Sequence, residues 1–412
     1  MTHRSVRPTA VAAWVAVLCV FGVLWLAMPL GELSRPLDIV LAVAFVAALV
    51  AGARIQRPKP LTYGDYSRAL DLSREQRWDE AVALYSQLIT QLGRAGTNEA
   101  RRLLGQSLLN CGWALRELGR PADALVCFDD LIRVSEAQSD TDSLRDLGKA
   151  LLNRAWATAE LGDPEAATLA SEDIVARFAD AKEPSLRGLA AVALIQEGAR
   201  QDQARRYREA LASYDRLLTR FGRETDWAIR SAVADAIFNR GVTLGHAGRH
   251  VEALRDYDRV VAMFGLVPEA AEVVASALVN KGVQLEQLKR PGEAVSAYER
   301  VVELFSGAPE SPLRAQVAKA ALGKGNALMA LGRREEAIAE FDRVIDEDGR
   351  EPLAAQDVIS AQANKAVLLC RSGRRAEALA ACREVRRLSA NMSDAAARRH
   401  LEVVAYVEVE CR

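Results

Sequence analysis

Small, apolar and aromatic positions recur along this chain at a nearly constant interval between Leu61 and Leu388. A small residue is followed twelve positions later by an alanine, then in most copies by an aromatic four positions on and by a pair of aliphatic residues. The small residues are Ala69, Gly112, Ala155, Gly198, Gly241, Gly282, Gly325 and Ala366. The alanines are Ala81, Ala124, Ala167, Ala210, Ala253, Ala294, Ala337 and Ala378. Because successive alanines lie 41 or 43 residues apart throughout, the sequence predicts eight copies of one structural repeat.

Each repeat is predicted to be a helical hairpin, with the small residue on its first helix and the alanine on its second. The aromatic positions are Tyr85, Phe128, Tyr214, Tyr257, Tyr298 and Phe341. Ser171 and Cys382 interrupt this column in the third and eighth repeats. Small side chains let the two helices approach closely, and we expect the aromatic to fill the space toward the next repeat. One hairpin cannot bury both of its apolar faces, so stability is expected to come from stacking.

The fifth repeat, from Asn239 to Tyr257, reads Asn-x-Gly-x-x-Leu-x-x-x-Gly-Arg-x-x-Glu-Ala-Leu-x-x-Tyr. This pattern resembles the tetratricopeptide repeat family, whose unit of 34 residues is shorter by roughly two helical turns. The resemblance implies an all-α, right-handed solenoid of about eight hairpins over residues 61–412. The predicted repeats are 61–93, 97–135, 141–180, 184–222, 225–265, 268–306, 310–348 and 352–389, followed by a capping helix at 393–412.

Residues 1–60 read as a membrane anchor. The stretch 10–30 contains no charge and is long enough to cross a bilayer as a helix. A second transmembrane helix is predicted at 37–53, and a short polar link joins the two. A cleaved signal peptide is the alternative, although the first stretch exceeds the usual 7–15 apolar residues and no Ala-x-Ala site follows it.

Positive charge flanks this predicted hairpin on both sides. The flanking residues are Arg4, Arg7, Arg54, Arg57 and Lys59. By the positive-inside rule both ends face the cytoplasm. The sequence therefore predicts a multi-pass protein of the inner (cell) membrane with its repeat domain in the cytoplasm. A composition rich in Ala, Arg and Leu is typical of a high-GC bacterium.

The charge balance argues against nucleic acid as a partner. The formal net charge of the chain is -1, whereas a nucleic-acid binder normally shows a basic face. Five cysteines follow the predicted anchor without CxxC spacing, and we expect reduced core thiols. They are Cys111, Cys127, Cys370, Cys382 and Cys411.

No catalytic, cofactor or metal site is predicted. His246 and His250 have a metal-compatible spacing, but Gly248 places a turn between them and no third ligand is near. The stretch 323–326 lacks a complete phosphate-binding motif and occupies a close-packing position. Asp256 and Asp258 are better explained by ion pairs than by acid–base chemistry. The sequence therefore indicates a binding protein rather than an enzyme.

An amide column lies two residues before the small residues. Its members are Asn110, Asn153, Asn239, Asn280 and Asn364. An amide both donates to and accepts from a peptide backbone. The resemblance places this column on the inner, concave surface and suggests a peptide-gripping ladder like that of O-linked sugar transferase superhelices. The alternative is that asparagine is favoured there by helix packing.

Aromatic residues accompany the amide column. Trp113 and Trp156 lie three residues beyond an asparagine in consecutive repeats, and Phe238 directly precedes Asn239. Exposed tryptophans are typical interface hot spots, and a contiguous apolar concavity usually marks a binding site. The alternative is that the long helices bury these side chains against one another.

The sequence thus predicts a membrane-anchored adaptor that holds an extended peptide or an amphipathic helix of a protein partner in its concave groove. The alternative is a membrane-attached scaffold built by self-association, in which the chain is a homo-oligomer.

Overall fold

The computed structural model describes residues 63–94, 97–137, 140–308, 311–348, 355–390 and 395–411. In these ranges the chain forms seventeen α-helices and one short 3-10 helix, with no β-strand. The predicted all-α class is confirmed. The predicted transmembrane helices at 10–30 and 37–53 lie outside these ranges. None of the described helices combines the length and apolarity that crossing a membrane requires.

The helices follow one another as hairpins, each with a first and a second helix, and a lone helix closes the array. They are α1 (Tyr63–Arg74), α2 (Trp78–Leu92), α3 (Asn98–Glu117), α4 (Pro121–Glu136), α5 (Thr141–Glu160), α6 (Pro164–Phe178), α7 (Pro184–Gln203), α8 (Tyr207–Phe221), α9 (Trp227–His246), α10 (His250–Phe264), α11 (Ala271–Gln287), α12 (Pro291–Phe305), α13 (Ser311–Ala330), α14 (Arg334–Asp348), α15 (Ala355–Arg371), α16 (Arg375–Ser389) and α17 (Ala395–Glu410). The 3-10 turn Pro268–Ala270 leads into α11.

Packing between neighbouring helices joins residues 66–412 into one compact unit. From α2 to α17, each helix packs on the next. The first helices of consecutive repeats also touch one another from α3 onward, and α17 packs on both α15 and α16. This arrangement is a helical solenoid.

Glycine and aromatic side chains determine how closely the two helices of a hairpin approach. A Cβ atom added to Gly241 would lie 2.7 Å from Cε1 of Tyr257, whose ring is almost completely buried. The same fit recurs in four other repeats, as Gly112 with Phe128, Gly198 with Tyr214, Gly282 with Tyr298 and Gly325 with Phe341. The ring therefore packs on the glycine of its own hairpin. In the sixth repeat it also packs toward the next one, since a Cβ atom added to Gly323 would lie 2.5 Å from Cζ of Tyr298. Burial also raises the pKa of Tyr257, which keeps the phenol neutral.

A residue with positive φ closes each hairpin turn. After α9, Gly248 has a φ of +74°, and the Arg249 N–H donates to the carbonyl oxygen of Leu244 at 2.8 Å. This geometry is the left-handed helix cap that favours glycine. In three of the hairpins the position is held by Gln76, Arg205 or Lys289.

Ion pairs link consecutive repeats in a second column. The basic residue directly before the small residue pairs with the acid directly after the aromatic of the preceding repeat. The pairs are Arg154 with Asp129, Arg240 with Asp215, Lys281 with Asp258, Lys324 with Glu299 and Lys365 with Asp342. The predicted ion-pair role of Asp258 is thus confirmed, and Asp256 pairs with Arg240 inside its own hairpin at 2.6 Å.

The expectation of reduced thiols is wrong for two cysteines. Cys370 and Cys411 form a disulfide that ties the closing helix α17 to α15. The two residues lie 41 positions apart, and only the packing of α17 on α15 brings their Cα atoms to 5.9 Å. Cys111, Cys127 and Cys382 are free.

Candidate binding groove

The first helices α3, α5, α7, α9, α11, α13 and α15 form one continuous surface, which we call the first-helix face. It carries all five asparagines of the amide column, and each of them is half-buried. Three of their amides are already engaged inside the protein. Asn110 donates to the Tyr66 hydroxyl at 2.9 Å, Asn153 to the Lys149 carbonyl oxygen at 2.8 Å, and Asn364 to the Asn326 side-chain oxygen at 2.7 Å.

The remaining two amides belong to Asn239 and Asn280. Among the described residues, neither side chain makes a hydrogen bond. The five asparagines therefore differ in whether the side-chain amide is available to hydrogen-bond with a peptide. A ladder running along all five residues stays a prediction.

The two predicted tryptophans have different surroundings. Trp113 is 45% exposed, and its ring meets the edge of Trp78 with 5.8 Å between centroids. Trp156 is half-buried, and the Arg116 guanidinium lies over its ring at 4.6 Å from the centroid. Trp156 also lines a cavity.

That cavity, which we call the groove cavity, lies between α5 and α7 and measures about 720 Å³. Asn153 and Trp156 line it together, so the structure joins two of the residues singled out in the sequence. Its other polar walls are Arg116, Glu160, Thr168, Gln196, Glu197, Arg200, Gln203 and Arg206. An aromatic face beside charged and amide groups is suited to holding a side chain of a bound segment.

A buried polar network forms one wall of the groove cavity. Glu197 is only 5% exposed, and its carboxylate accepts hydrogen bonds from the Thr168 hydroxyl at 2.8 Å and the Gln201 amide at 2.7 Å. Arg200 pairs with the same carboxylate and donates to the Ser171 hydroxyl at 2.7 Å. A buried carboxylate is tolerated only when it is paired and hydrogen-bonded in this way.

This network lies at the boundary between the third and fourth repeats, where two positions depart from the repeat pattern. Ser171 occupies the aromatic position of the third repeat, and Glu197 occupies the basic position of the fourth. Ser171 is visible in the sequence as a break in the aromatic column, whereas Arg116, Glu197 and Arg200 are not among the site residues predicted from the sequence. One sequence feature does point to this region. The aromatic position and the basic position of the ion-pair column are both substituted at the same repeat boundary.

Phe238 lines a second, smaller cavity of about 370 Å³ between α9 and α11. Trp227 shares its wall with three acidic residues, Asp235, Glu269 and Glu272. The structure therefore separates Phe238 from Trp156, because the two residues line different cavities on the first-helix face.

The histidines do not converge on a shared site. His246 contacts Asp202 at 2.9 Å, whereas His250 contacts Gln284 at 2.7 Å. Within the described part of the chain, no three His, Cys, Asp or Glu side chains are grouped so that they could hold a metal ion.

Comparison with protein families finds a match over part of the chain, between residues 195 and 393. The family model for the tetratricopeptide repeat matches residues 195–271, 247–309, 313–352 and 322–393. The repeat assignment is therefore supported directly in these segments, and the earlier hairpins share their geometry. Among curated proteins, none matches the sequence.

Solved structures with the same helical arrangement include RapI in its apo form. Its TM-score is 0.54 at 12% identity, over 74% of this chain and 80% of RapI. A signal transduction ATPase with a tetratricopeptide repeat sensor from Pyrococcus horikoshii gives 0.52 at 11% identity, over 80% of this chain. This chain spans about half of that ATPase, 49%. At these identities the likeness shows the fold alone.

Proposed function

We propose that this array of tetratricopeptide-like hairpins is an adaptor that binds a segment of a protein partner on its first-helix face, with the groove cavity as the principal contact. The observation that carries the proposal is the position of this cavity. It opens at the one boundary where both the aromatic and the ion-pair columns are broken. Departures from a local rule are expected at functional sites.

The residues of the groove cavity support the same role. Trp156 offers an aromatic surface that is only half-buried, and tryptophan is enriched among residues that dominate binding energy. Asn239 and Asn280 add amide groups further along the same face. An extended peptide or an amphipathic helix could follow this face across several repeats.

Site-specific photo-crosslinking in the native host tests this role. A photoreactive amino acid is placed at Gln203, an exposed residue of the cavity wall, and in a matched strain at Ser296, an exposed residue of the second helix α12. We expect a defined protein to crosslink from Gln203 and not from Ser296. Trp156→Ala should abolish the crosslink while the melting temperature stays near that of the wild type.

The adaptor role would be contradicted by identical crosslinks from both positions, or by crosslinks from Gln203 that survive Trp156→Ala. Either result would mean that the groove cavity does not select the partner.

We also propose, from the charge and hydropathy pattern alone, that residues 10–30 and 37–53 anchor the adaptor in the inner membrane with the repeats in the cytoplasm. Membrane fractionation with protease treatment of spheroplasts tests this location. The repeats should sediment with membranes and resist protease added outside. Cleavage of the repeats by external protease would overturn this orientation.

Self-association is a second candidate function, favoured by the surface of α17. Tyr406 is 54% exposed and Val409, one helical turn later, is 70% exposed on the last helix of the array. If copies associate through this helix, the mass in light scattering should rise with concentration. Tyr406→Ser with Val409→Ser should remove that rise, and an unchanged mass profile would exclude α17 as the contact.

A further inference from the structure

We infer that the groove cavity recognises an acidic side chain, an aspartate or glutamate of the bound segment, through Arg116 stacked on Trp156. This inference rests on the proposed adaptor function and specifies the chemistry of its ligand. Four features of the cavity lead to it, namely the geometry of Arg116, the charge balance, the wall residue Gln196 and the exclusion of other side chains.

Arg116 is arranged as a ligand-binding arginine rather than a structural one. Its guanidinium lies 4.6 Å from the centroid of the Trp156 ring. Within the described residues it makes no ion pair or hydrogen bond, whereas Arg120, four positions later, pairs with Asp123 at 2.7 Å. A guanidinium stacked on an aromatic face keeps its N–H edge available, and that edge matches a carboxylate in a bidentate geometry.

The charge of the cavity favours an anionic ligand group. Three arginines and two glutamates line it, namely Arg116, Arg200, Arg206, Glu160 and Glu197. The Glu197 charge is already compensated by Arg200. Of the remaining charged lining residues, two are basic, Arg116 and Arg206, and one is acidic, Glu160, so the cavity has one positive charge in excess.

Gln196 adds an acceptor for the main chain of the same ligand. It stands in the fourth repeat where five other repeats carry an asparagine. Its Oε1 atom is buried without a donor among the described residues. A rotation of this amide into the cavity would let it accept a backbone N–H of the bound segment. The same cavity thus contains Arg116, which can donate to a carboxylate, and Gln196, which can accept from a peptide N–H.

Other side chains fit this cavity less well. A lysine or arginine of the partner would meet the like charge of Arg116. An apolar side chain would cover the guanidinium and remove it from water without supplying an acceptor, which is unfavourable for a charged group. Among unmodified side chains, the carboxylate alone satisfies both the charge and the hydrogen-bond donors.

Selection from a random-peptide display library on the full-length protein tests the inference. The same selection is run on Arg116→Gln, on Trp156→Ala and on the control Arg259→Gln, which removes one positive charge from an exposed position of α10. Wild-type protein and the control should enrich peptides with Asp or Glu at one fixed position. That enrichment should vanish with Arg116→Gln.

A synthetic peptide from the wild-type selection then measures the pair directly. Arg116→Gln should weaken its binding by roughly tenfold or more, as expected for a lost charge-assisted hydrogen bond. Replacing the acidic residue of the peptide by its amide should cause the same loss in wild-type protein and little further loss in Arg116→Gln. Arg116→Lys should restore only part of the affinity, because lysine lacks the planar fork.

Peptides that require Trp156 but show no acidic position, or that bind Arg116→Gln as well as wild type, would overturn the inference and leave the adaptor function standing. A peptide that binds only when phosphorylated at that position would overturn the assignment to a carboxylate. Failure of wild-type protein to enrich any peptide would count against the adaptor function itself.

Discussion

The boundary between the fifth and sixth repeats and the boundary between the third and fourth are built in different ways. At the former, the Tyr257 ring is buried on Gly241, and Asp258 pairs with Lys281 of the next repeat at 2.5 Å. At the latter, Ser171 replaces the ring and Glu197 replaces the base. Arg200 of the following helix reaches Ser171 instead and neutralises Glu197.

The difference shows how a repeat protein can open a binding site without losing its stack. An aromatic ring fills the space between the helices by close packing. A serine is much smaller than a ring and leaves room for the Arg200 guanidinium. A buried polar network of this kind is stable only when each of its groups has a hydrogen-bond or ion-pair partner. The groove cavity lies beside this network. We therefore attribute the cavity to the boundary between the third and fourth repeats, where serine replaces the aromatic residue.

The largest effect is expected when the ring is removed from the regular boundary. Tyr257→Ala should lower the free energy of unfolding by about 3–5 kcal/mol, because a fully buried aromatic leaves a cavity against Gly241. Urea titration followed by circular dichroism measures the loss. Ser171→Ala is the matched change at the other boundary and should cost only about 1–2 kcal/mol. It removes two hydrogen bonds, one that the Ser171 hydroxyl accepts from Arg200 and one that it donates to the Ala167 carbonyl oxygen. Equal losses at the two positions would contradict the contrast.

A somewhat smaller effect is expected when the polar boundary loses its cation. Arg200→Met should lower the free energy of unfolding by about 3 kcal/mol, because Glu197 is left buried without its counter-charge. The double change Arg200→Met with Glu197→Gln should recover most of that loss, since no buried charge remains. The same urea titration distinguishes them. If the double variant is no more stable than Arg200→Met, electrostatics do not account for the boundary.

A moderate effect is expected from filling the contact between ring and glycine. Gly241→Ala gains helix propensity but places a methyl group 2.7 Å from the Tyr257 ring. Overpacking of this kind should leave a net loss of about 1–2 kcal/mol in unfolding free energy. Gly292→Ala in α12 is the control, because no atom lies within 4 Å of its added Cβ, and it should not destabilise. Destabilisation by both changes to the same extent would rule out the ring as the cause.

The smallest effect is expected from the ion-pair column. Lys281→Ala removes the pair with Asp258, whose carboxylate is 58% exposed. Solvent screens such a pair, so the unfolding free energy should fall by less than about 1 kcal/mol. The loss should shrink further in high salt. A loss as large as that of Tyr257→Ala would mean that ion pairs, not rings, hold the regular boundaries together.

The features that the sequence predicts well are those that repeat. The interval, the hairpins and the close approach at Gly241 follow from residue size and period, because each copy reinforces the others. The ion pair of Asp258 follows from the same recurrence.

The features that it misses depend on single side-chain orientations or on distant parts of the chain. Asn153 turns to the Lys149 carbonyl of its own helix, and Trp113 meets Trp78 from the preceding hairpin. These choices depend on rotamers that no periodicity specifies. The disulfide between Cys370 and Cys411 depends on where α17 docks, which local spacing does not encode.

The most direct test of the adaptor role is the affinity of the crosslinked partner segment for two tryptophan variants of the full-length protein. Trp156→Ala should weaken binding by roughly thirtyfold, the effect of losing a hot spot, whereas Trp113→Ala should change it little because Trp113 lies outside the groove cavity. Unchanged affinity for Trp156→Ala together with strong weakening by Trp113→Ala would contradict the account and move the binding site to the pair that Trp113 forms with Trp78.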